Sequence, residues 1–477
     1  MCGILGYFGK HIVDAKALIK KLKHRGPDGT NIVTGDGFIL GFALLSINGS
    51  AGMQPVQKGS IYVVCNGEIY NYKQLATDYG ITIPEGGSDC SILPELFMKT
   101  RSVTEFCRVL DGVFAMIVVN NGNFTVIRDP YGVRPLFMEE KDAFASEAKA
   151  LPNLGGHIQQ FPAGTFFQNG RFRSYHEIPH IKQPFFKNTH SAEGALRDAL
   201  ITSVKKRLLS DRPIGALLSG GLDSSLIVAI LAKHVGNLQT FSIGLADSED
   251  LRCARIVAAH CKTKHHEIVI TEKQYQDAIE EVIKSLESHD VTTVRASVGN
   301  WLVGQYIRKN TDIKVVFNGD GSDEIGGGYR YFQKAPSNVE FENECVRLLE
   351  DICYFDVLRS DRCISAHGLE PRTPYLDKQF VATWLSIPTS LRRTKIEKQV
   401  LRHAFAGYLP SLILYRKKEA FSDGMSQNVP WKSIPNEEAY YKELYNKYYS
   451  QELVPYKWMP KWSPETSDPS AKTLSNY

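Results

Sequence analysis

Along the first 175 residues the apolar positions fall in short β-rich runs, among them Ile61–Val64, Phe114–Val119 and Phe124–Ile127. Turns such as Asn121-Gly122 and Asp129-Pro130-Tyr131-Gly132 separate them, as in hairpins. Helical spacing interrupts the strands twice, around Ala15 to Leu22 and around Ile92 to Lys99. The pattern predicts layered antiparallel sheets with helices.

Near residues 176 to 192 periodicity stops and Pro, Lys, Asn and Ser take over, as in a linker. Beyond it Leu196, Ala199, Leu200, Val204 and Leu208 share one helical face, and Ser191 is the expected N-cap. After Pro213 strand, loop and helix alternate: strands at Ile214–Leu218, Thr240–Ile243, Glu267–Ile270 and Lys314–Phe317, helices at Leu226–Ala232 and Arg255–His260. Parallel strands need such crossovers, so this half predicts an open parallel sheet. From about residue 340 helices prevail, and the stretch from Val454 is rich in Pro, Ser and Trp with no element predicted.

Composition narrows the function classes. The chain has 477 residues, 43% of them hydrophobic and 23% charged, with a formal net charge of +4, so it has no electrostatic bias toward nucleic acid or membranes. Basic clusters such as Lys20-Lys21-Leu22-Lys23 and Arg416-Lys417-Lys418 read most simply as solvated faces. No apolar run approaches the ~18 residues of a membrane span, and no secretory leader follows Met1. Nine scattered cysteines without a CxxC pair fit reduced thiols in the cytoplasm. Cys2, directly behind the initiator, stands apart from them by its position.

Two loops carry candidate chemistry. "LLSGGLDSS" (217–225) lies between a predicted strand and a predicted helix, where open parallel sheets bind ligands. Gly220 and Gly221 permit close backbone approach to an anion, Ser219, Ser224 and Ser225 add hydroxyls, and Asp223 suits a Mg²⁺ bridging to phosphate. Neither GxxxxGK[ST] nor GxGxxG is present. "FNGDGSDEIGGGY" (317–329) follows the next predicted strand, so its Asp320, Asp323 and Glu324 should sit beside the first loop, to hold magnesium or orient an amine. Read without their context, the two loops are a connecting Ser/Gly turn and a solvated acidic turn.

"SGGLDSS", "DVTTVRAS" (290–297), "GDGSDE" (319–324), "EPRTPYLD" (370–377) and "KKEAFSDG" (417–424) occur in the order found in glutamine-dependent asparagine synthetases. The first half resembles the same family through "MCGILGYFG", "HRGPDG" (24–29), "NGEIYNY" (66–72), "GSDC" (87–90) and "RDPYGVRPLF" (128–137). The resemblance implies an N-terminal nucleophile (Ntn) hydrolase αββα sandwich over 1–190 that frees ammonia from glutamine. It also implies an α/β doubly wound ATP pyrophosphatase domain over 191–453 that activates aspartate, with a tail of unassigned structure over 454–477. ATP and Mg²⁺ follow from the family, as does a homodimer.

By the same resemblance Cys2 is the nucleophile. Once Met1 is removed its own α-amine, of pKa ~7.7 to 8.0, accepts the thiol proton. Asn66 and Gly67 form the oxyanion hole, Glu68 and Asp89 hold the α-ammonium of glutamine, and Leu45, Ser46, Ile47 and Asn48 line its site. On the synthetase side Leu218, Ile243, Asn318 and Gly319 neighbour the adenylate, the 219–225 loop cradles pyrophosphate, and Asp223 and Asp323 are the metal carboxylates. Asp320 and Lys418 are catalytic, and Thr292, Thr293 and Arg295 lie near the substrate. Without the family, Cys2 reads as a small residue suited to Met1 removal, and Arg295 as part of a solvated helix turn.

Two positions depart from the family. Leu44 stands where an arginine usually pairs with the α-carboxylate of glutamine, with Arg25 a candidate to compensate, and Asp320 replaces the usual glutamate. These departures keep open an ammonia-fed synthetase with an impaired glutaminase site and an adenylate-forming amidase or cyclase for another acid. A non-catalytic relative would be expected to lack Cys2 or Asp223, and both are present.

Overall fold

The computed structural model describes residues 1–178, 185–186, 188–418, 424–425, 430–431, 433–454 and 461–462. Two six-stranded antiparallel sheets build the first half. One runs in the order Ile158–Gln160, Phe137–Glu139, Ala143–Ala145, Gly3–Tyr7, Phe38–Leu44 and Gly29–Gly35. The other runs Arg171–Ser174, Thr165–Gln168, Asn123–Arg128, Gly112–Asn120, Ile61–Ile69 and Val56–Lys58.

Strand alternation decides which side chains face which layer. Val64, Ala115 and Ile117 point into the gap between the sheets, where they meet Ile4, Leu40 and Phe42. Their neighbours Cys65, Phe114 and Met116 point the other way, onto helices Leu93–Lys99 and Val103–Val109. Helix Ala15–Lys20 covers the outside of the first sheet through Leu18 and Ile19. The layers are αββα, as the resemblance implied.

The second half is a five-stranded parallel sheet in the order Lys264–Val269, Gln239–Gly244, Ile214–Leu217, Val315–Phe317 and Glu370–Arg372. Val315 and Phe317 face helices Leu222–Leu231 and Glu249–Cys261, whereas Val316 between them faces the side of helices Glu272–Leu286 and Val291–Asn310, so both faces are covered. Strand Glu370–Arg372 was not foreseen, because a three-residue edge strand containing Pro371 carries no periodic signal. The helix after the linker is Thr189–Lys206, and its N-cap is Asn188, whose Oδ1 accepts the Ser191 N–H at 2.9 Å. Ser191 therefore lies inside the helix, not at its cap.

The halves share one core. Leu5, Tyr7 and Phe137 of the first sheet pack in a cluster with Val303, Ile307 and Ile364 of the second half. Of the tail, residues 455–460 and 463–477 lie outside the described residues. Trp462 packs its ring 5.9 Å from that of Tyr331 and 6.2 Å from that of Phe332.

Candidate functional site

The first site forms where strand Gly3–Tyr7 begins. The Leu45 N–H donates to the Cys2 thiol at 3.4 Å, and the thiol faces the Leu45 carbonyl at 3.8 Å. Burial pushes that thiol up to about 12. With Met1 attached, the chain's α-amine is buried, depressed to about 5, and donates to the Leu369 carbonyl at 3.3 Å.

Glu68, on strand Ile61–Ile69, accepts from Asn48 Nδ2 at 2.5 Å and lies 3.5 Å from the Arg372 guanidinium. Asp89 opens a 3₁₀ turn and accepts the Ile69 N–H at 2.7 Å. Burial, reinforced by the Asp89 charge, raises Glu68 well above the usual carboxylate range, and burial lifts Asp89 to about 6. Both carboxyls are thus pushed toward the neutral form, a push that a cation placed beside them would oppose. Both polar atoms of the Asn66 amide are buried and find no partner among the described residues, as does Asn48 Oδ1. Gly67 sits where a Cβ would lie 2.4 Å from the Val113 carbonyl, so the backbone there stays bare.

Leu44 ends strand Phe38–Leu44, with Cδ1 near Gly52 and on the side of Ser88. Arg25 does not stand in for an arginine there. Its guanidinium is fully buried, with NH1 bonded to Glu147 and Asp361 at 2.8 Å each and Nε bonded to the Cys2 carbonyl at 3.0 Å.

The second site lies at the carboxyl edge of the parallel sheet. The loops after strands Ile214–Leu217 and Val315–Phe317 emerge side by side, and Ser322 Oγ donates to Asp223 at 2.7 Å. They line a cavity of about 250 Å³ whose wall includes Leu218, Ser219, Gly221, Asp223, Ser224, Ile243, Thr292, Thr293, Arg295, Asn318, Gly319, Asp320, Asp323 and Lys418. Two anticipated residues are not on that wall. Gly220 has φ +72 and is pressed onto Cys253 and Ala254, and Ser225 is completely buried.

Asp223 and Asp323 converge on one cation, Lys398 Nζ, at 2.7 and 2.6 Å. Lys418 holds the other Asp323 oxygen at 2.5 Å. Burial would raise Asp323, but the two ammonium groups outweigh it and hold the carboxyl well below its ordinary value. Asp320 accepts from Asn318 Nδ2 at 2.7 Å and pairs with Arg359 at 3.1 Å, yet burial still raises it. Glu324 is raised too, by burial and by Asp356, and bonds the Tyr329 hydroxyl.

Thr293 Oγ1 is engaged with Asp290 at 2.7 Å at the N-cap of helix Val291–Asn310. Arg295 pairs with Glu437 and stacks 4.6 Å over Trp431. The Arg416-Lys417-Lys418 run is only partly a solvated face, with Lys417 exposed and its two neighbours half-buried. The Arg416 side chain is 10% exposed and bonded to Asp250, and Lys418 reaches into the cavity. A local count of charges cannot see that the fold turns Arg416 and Lys418 inward. For the same reason the sequence alone does not mark Lys398, Arg359, Arg372 and Glu437, whose partners Asp223, Asp320, Glu68 and Arg295 lie far away in the chain.

A family model described as "Asparagine synthase" matches residues 195–343 and 336–439, and one described as "Glutamine amidotransferase domain" matches residues 1–189. The chain is 39% identical to "Asparagine synthetase [glutamine-hydrolyzing]" of Gallus gallus, across 100% of this chain and 99% of that protein. The protein of that name from Homo sapiens is 37% identical over the same shares. A "Probable asparagine synthetase [glutamine-hydrolyzing]" of Acanthamoeba polyphaga mimivirus is 37% identical over 99% of this chain and 100% of that one.

Proposed function

Since the chain belongs to the glutamine-hydrolysing asparagine synthetases, we propose that it makes asparagine from aspartate, ATP and glutamine through two linked reactions. In the first, Cys2 of the processed chain attacks the glutamine amide, its own α-amine takes the thiol proton, and ammonia leaves before water hydrolyses the thioester. Asn66 and Gly67 offer a side-chain amide and a backbone N–H to the tetrahedral oxyanion. The partnerless, buried amide of Asn66 supports this role, because such a group is costly unless a ligand completes it. Glu68 and Asp89 receive the α-ammonium, and the 45–48 segment closes the pocket.

In the second reaction the β-carboxylate of aspartate attacks the α-phosphorus of ATP. Pyrophosphate leaves, and ammonia then displaces AMP from the β-aspartyl adenylate. Leu218, Ile243, Asn318 and Gly319 flank the nucleotide, and of the 219–225 loop the Gly221 backbone and the hydroxyls of Ser219 and Ser224, which face the cavity, surround the departing phosphates. Lys418 stabilises charge growing on phosphate oxygens, Asp320 acts at the reacting centre, and Thr292, Thr293 and Arg295 shape the aspartate end.

Asp223 and Asp323 are hard oxygen donors that already share one cation, so with nucleotide phosphates and water they fit Mg²⁺. When bound, Mg²⁺ would neutralise phosphate charge. Among the described residues no group of three or more His, Cys, Asp or Glu gathers as a metal site by itself, in keeping with an ion brought in by the nucleotide.

The carrying observation is the meeting of two strand-end loops over one cavity with Asp223 and Asp323 aimed at a single point. We divide the chain near residue 190 and assign it to the cytoplasm, where its free cysteines stay reduced. No helix among the described residues is long and apolar enough to cross a membrane. The test is pyrophosphate release from ATP with aspartate against other acids, each with glutamine or ammonium supplied. Release with aspartate, and asparagine from glutamine, are expected; no release with aspartate overturns the substrate assignment.

A further inference from the structure

Between helix Thr189–Lys206 and strand Ile214–Leu217, the turn 207–212 reaches from the synthetase half to the glutaminase half. The Asp211 N–H donates to the Ile47 carbonyl at 3.0 Å, and Asp211 Oδ2 accepts the Gly49 N–H at 2.7 Å. Arg212 Nε donates to the Ser46 carbonyl at 3.2 Å. Two consecutive residues of one half thus hold three backbone groups of a four-residue stretch of the other.

The far side of that stretch is equally confined. The Ser46 N–H donates to Asp28 at 2.8 Å, and the Ala51 N–H donates to the Gly86 carbonyl at 2.8 Å. Gly49 has φ +72, and a Cβ there would lie 2.6 Å from that carbonyl. Flanking the held atoms are Leu45, whose N–H meets the Cys2 thiol, and Asn48, whose amide meets Glu68. The turn itself is anchored by Arg372, which donates to the carbonyls of Arg207 and Leu209 and also approaches Glu68.

We propose that Asp211 is a positioning residue for the glutamine pocket: by holding Ile47 and Gly49 it keeps Leu45 on the Cys2 thiol and Asn48 on Glu68, so the pocket takes its shape only with the synthetase half docked. Asp211 touches no reacting atom and acts through the 45–49 segment. The proposal rests on the reading of this pocket as the glutamine site.

The test uses the full chain as wild type, Asp211→Ala and Asp211→Asn, with steady-state kinetics on glutamine and on ammonium. An asparagine side chain still presents an oxygen to the Gly49 N–H, so Asp211→Asn should stay close to wild type. Asp211→Ala removes the bond to Gly49 and leaves the backbone bond to Ile47, and should raise the glutamine KM up to about tenfold, the scale of one charged hydrogen bond. Its ammonium-driven kcat should stay within about twofold. An unmoved glutamine KM, or an equal loss of both activities, overturns the proposal. Amide hydrogen exchange gives a second readout should Asp211→Ala be poorly active: exchange over residues 44–52 should quicken in Asp211→Ala and not in Asp211→Asn, and unchanged exchange overturns the proposal as well. A wild type that makes asparagine from ammonium but not from glutamine would instead sink the glutamine reading, an outcome separate from the behaviour of the variants.

Discussion

Asp89, proposed to receive the ammonium of glutamine, shows how burial, with the Glu370 charge adding to it, makes a turn carboxyl sensitive to pH. It is 4% exposed and lifted to about 6, so its charge is present above that pH and lost below it. The ammonium of glutamine needs the charged form. On top of the fall set by protonation of the Cys2 α-amine, the free enzyme's kcat/KM for glutamine should therefore steepen by about a further tenfold per pH unit below 6. Ammonium-driven synthesis at fixed free ammonia should lack that limb, and a shared limb would place the titration in the other site. Leu44 invites the opposite experiment. An arginine restored there would supply a charged hydrogen bond of ~1.5 to 3 kcal/mol, so Leu44→Arg should lower the glutamine KM about ten- to a hundredfold. Cys2→Ala should cut glutamine-driven synthesis by a factor of about 10³ or more and leave ammonium-driven synthesis in place. Parallel loss of both would deny the residue its role as nucleophile.

Among the elements, the strand–loop–helix unit 214–231 does the most for chemistry. Strand Ile214–Leu217 is central in the sheet, and its loop must fold back sharply to let helix Leu222–Leu231 cross over. Gly220 makes that bend in a left-handed conformation, with Ala254 N and Cys253 Cβ each 2.5 Å from where a Cβ would stand. Gly220→Ala must therefore push the adjoining cavity-lining backbone, proposed to meet phosphate, out of line. A shift of about an ångström is expected to slow pyrophosphate release on the order of a hundredfold. Quench-flow or coupled pyrophosphate assays would register it, with glutaminase activity as the unaffected control. The neighbouring unit works by alignment: parallel pairing of Ile214 with Val315 brings Ser322 within 2.7 Å of Asp223 although 99 residues separate them.

At the scale of the molecule, a buried charge network fastens the two halves. Arg25 joins Glu147 to Asp361, while Arg362 reaches both Glu147 and Glu287 at 3.0 and 2.6 Å. All five side chains are almost fully enclosed. Removing one partner of such a network costs about 3 to 5 kcal/mol, because a buried charge is left poorly compensated. Asp361→Ala should lower the first calorimetric transition by about 5 °C. An unchanged transition would mean the apolar contacts of Leu5, Tyr7 and Phe137 carry the interface unaided.

Much of this protein is written locally. Short β-rich apolar runs such as Phe114–Val119 predict strands, and in the fold their alternate side chains face opposite layers, both of them apolar. The strand–loop–helix rhythm after Pro213 places two loops at one sheet edge because parallel strands all end on the same side. Residues adjacent in sequence therefore mark the cavity. Other features depend on distance in space. Lys398 reaches Asp223 across 175 positions, Arg25 is committed to Asp361 across 336, and Arg416 and Lys418 of one basic run are turned inward. Whether a charged side chain is buried and paired depends on what lies opposite it. That neighbour is chosen when sheets and domains pack, a step with no trace in hydrophobic periodicity or composition.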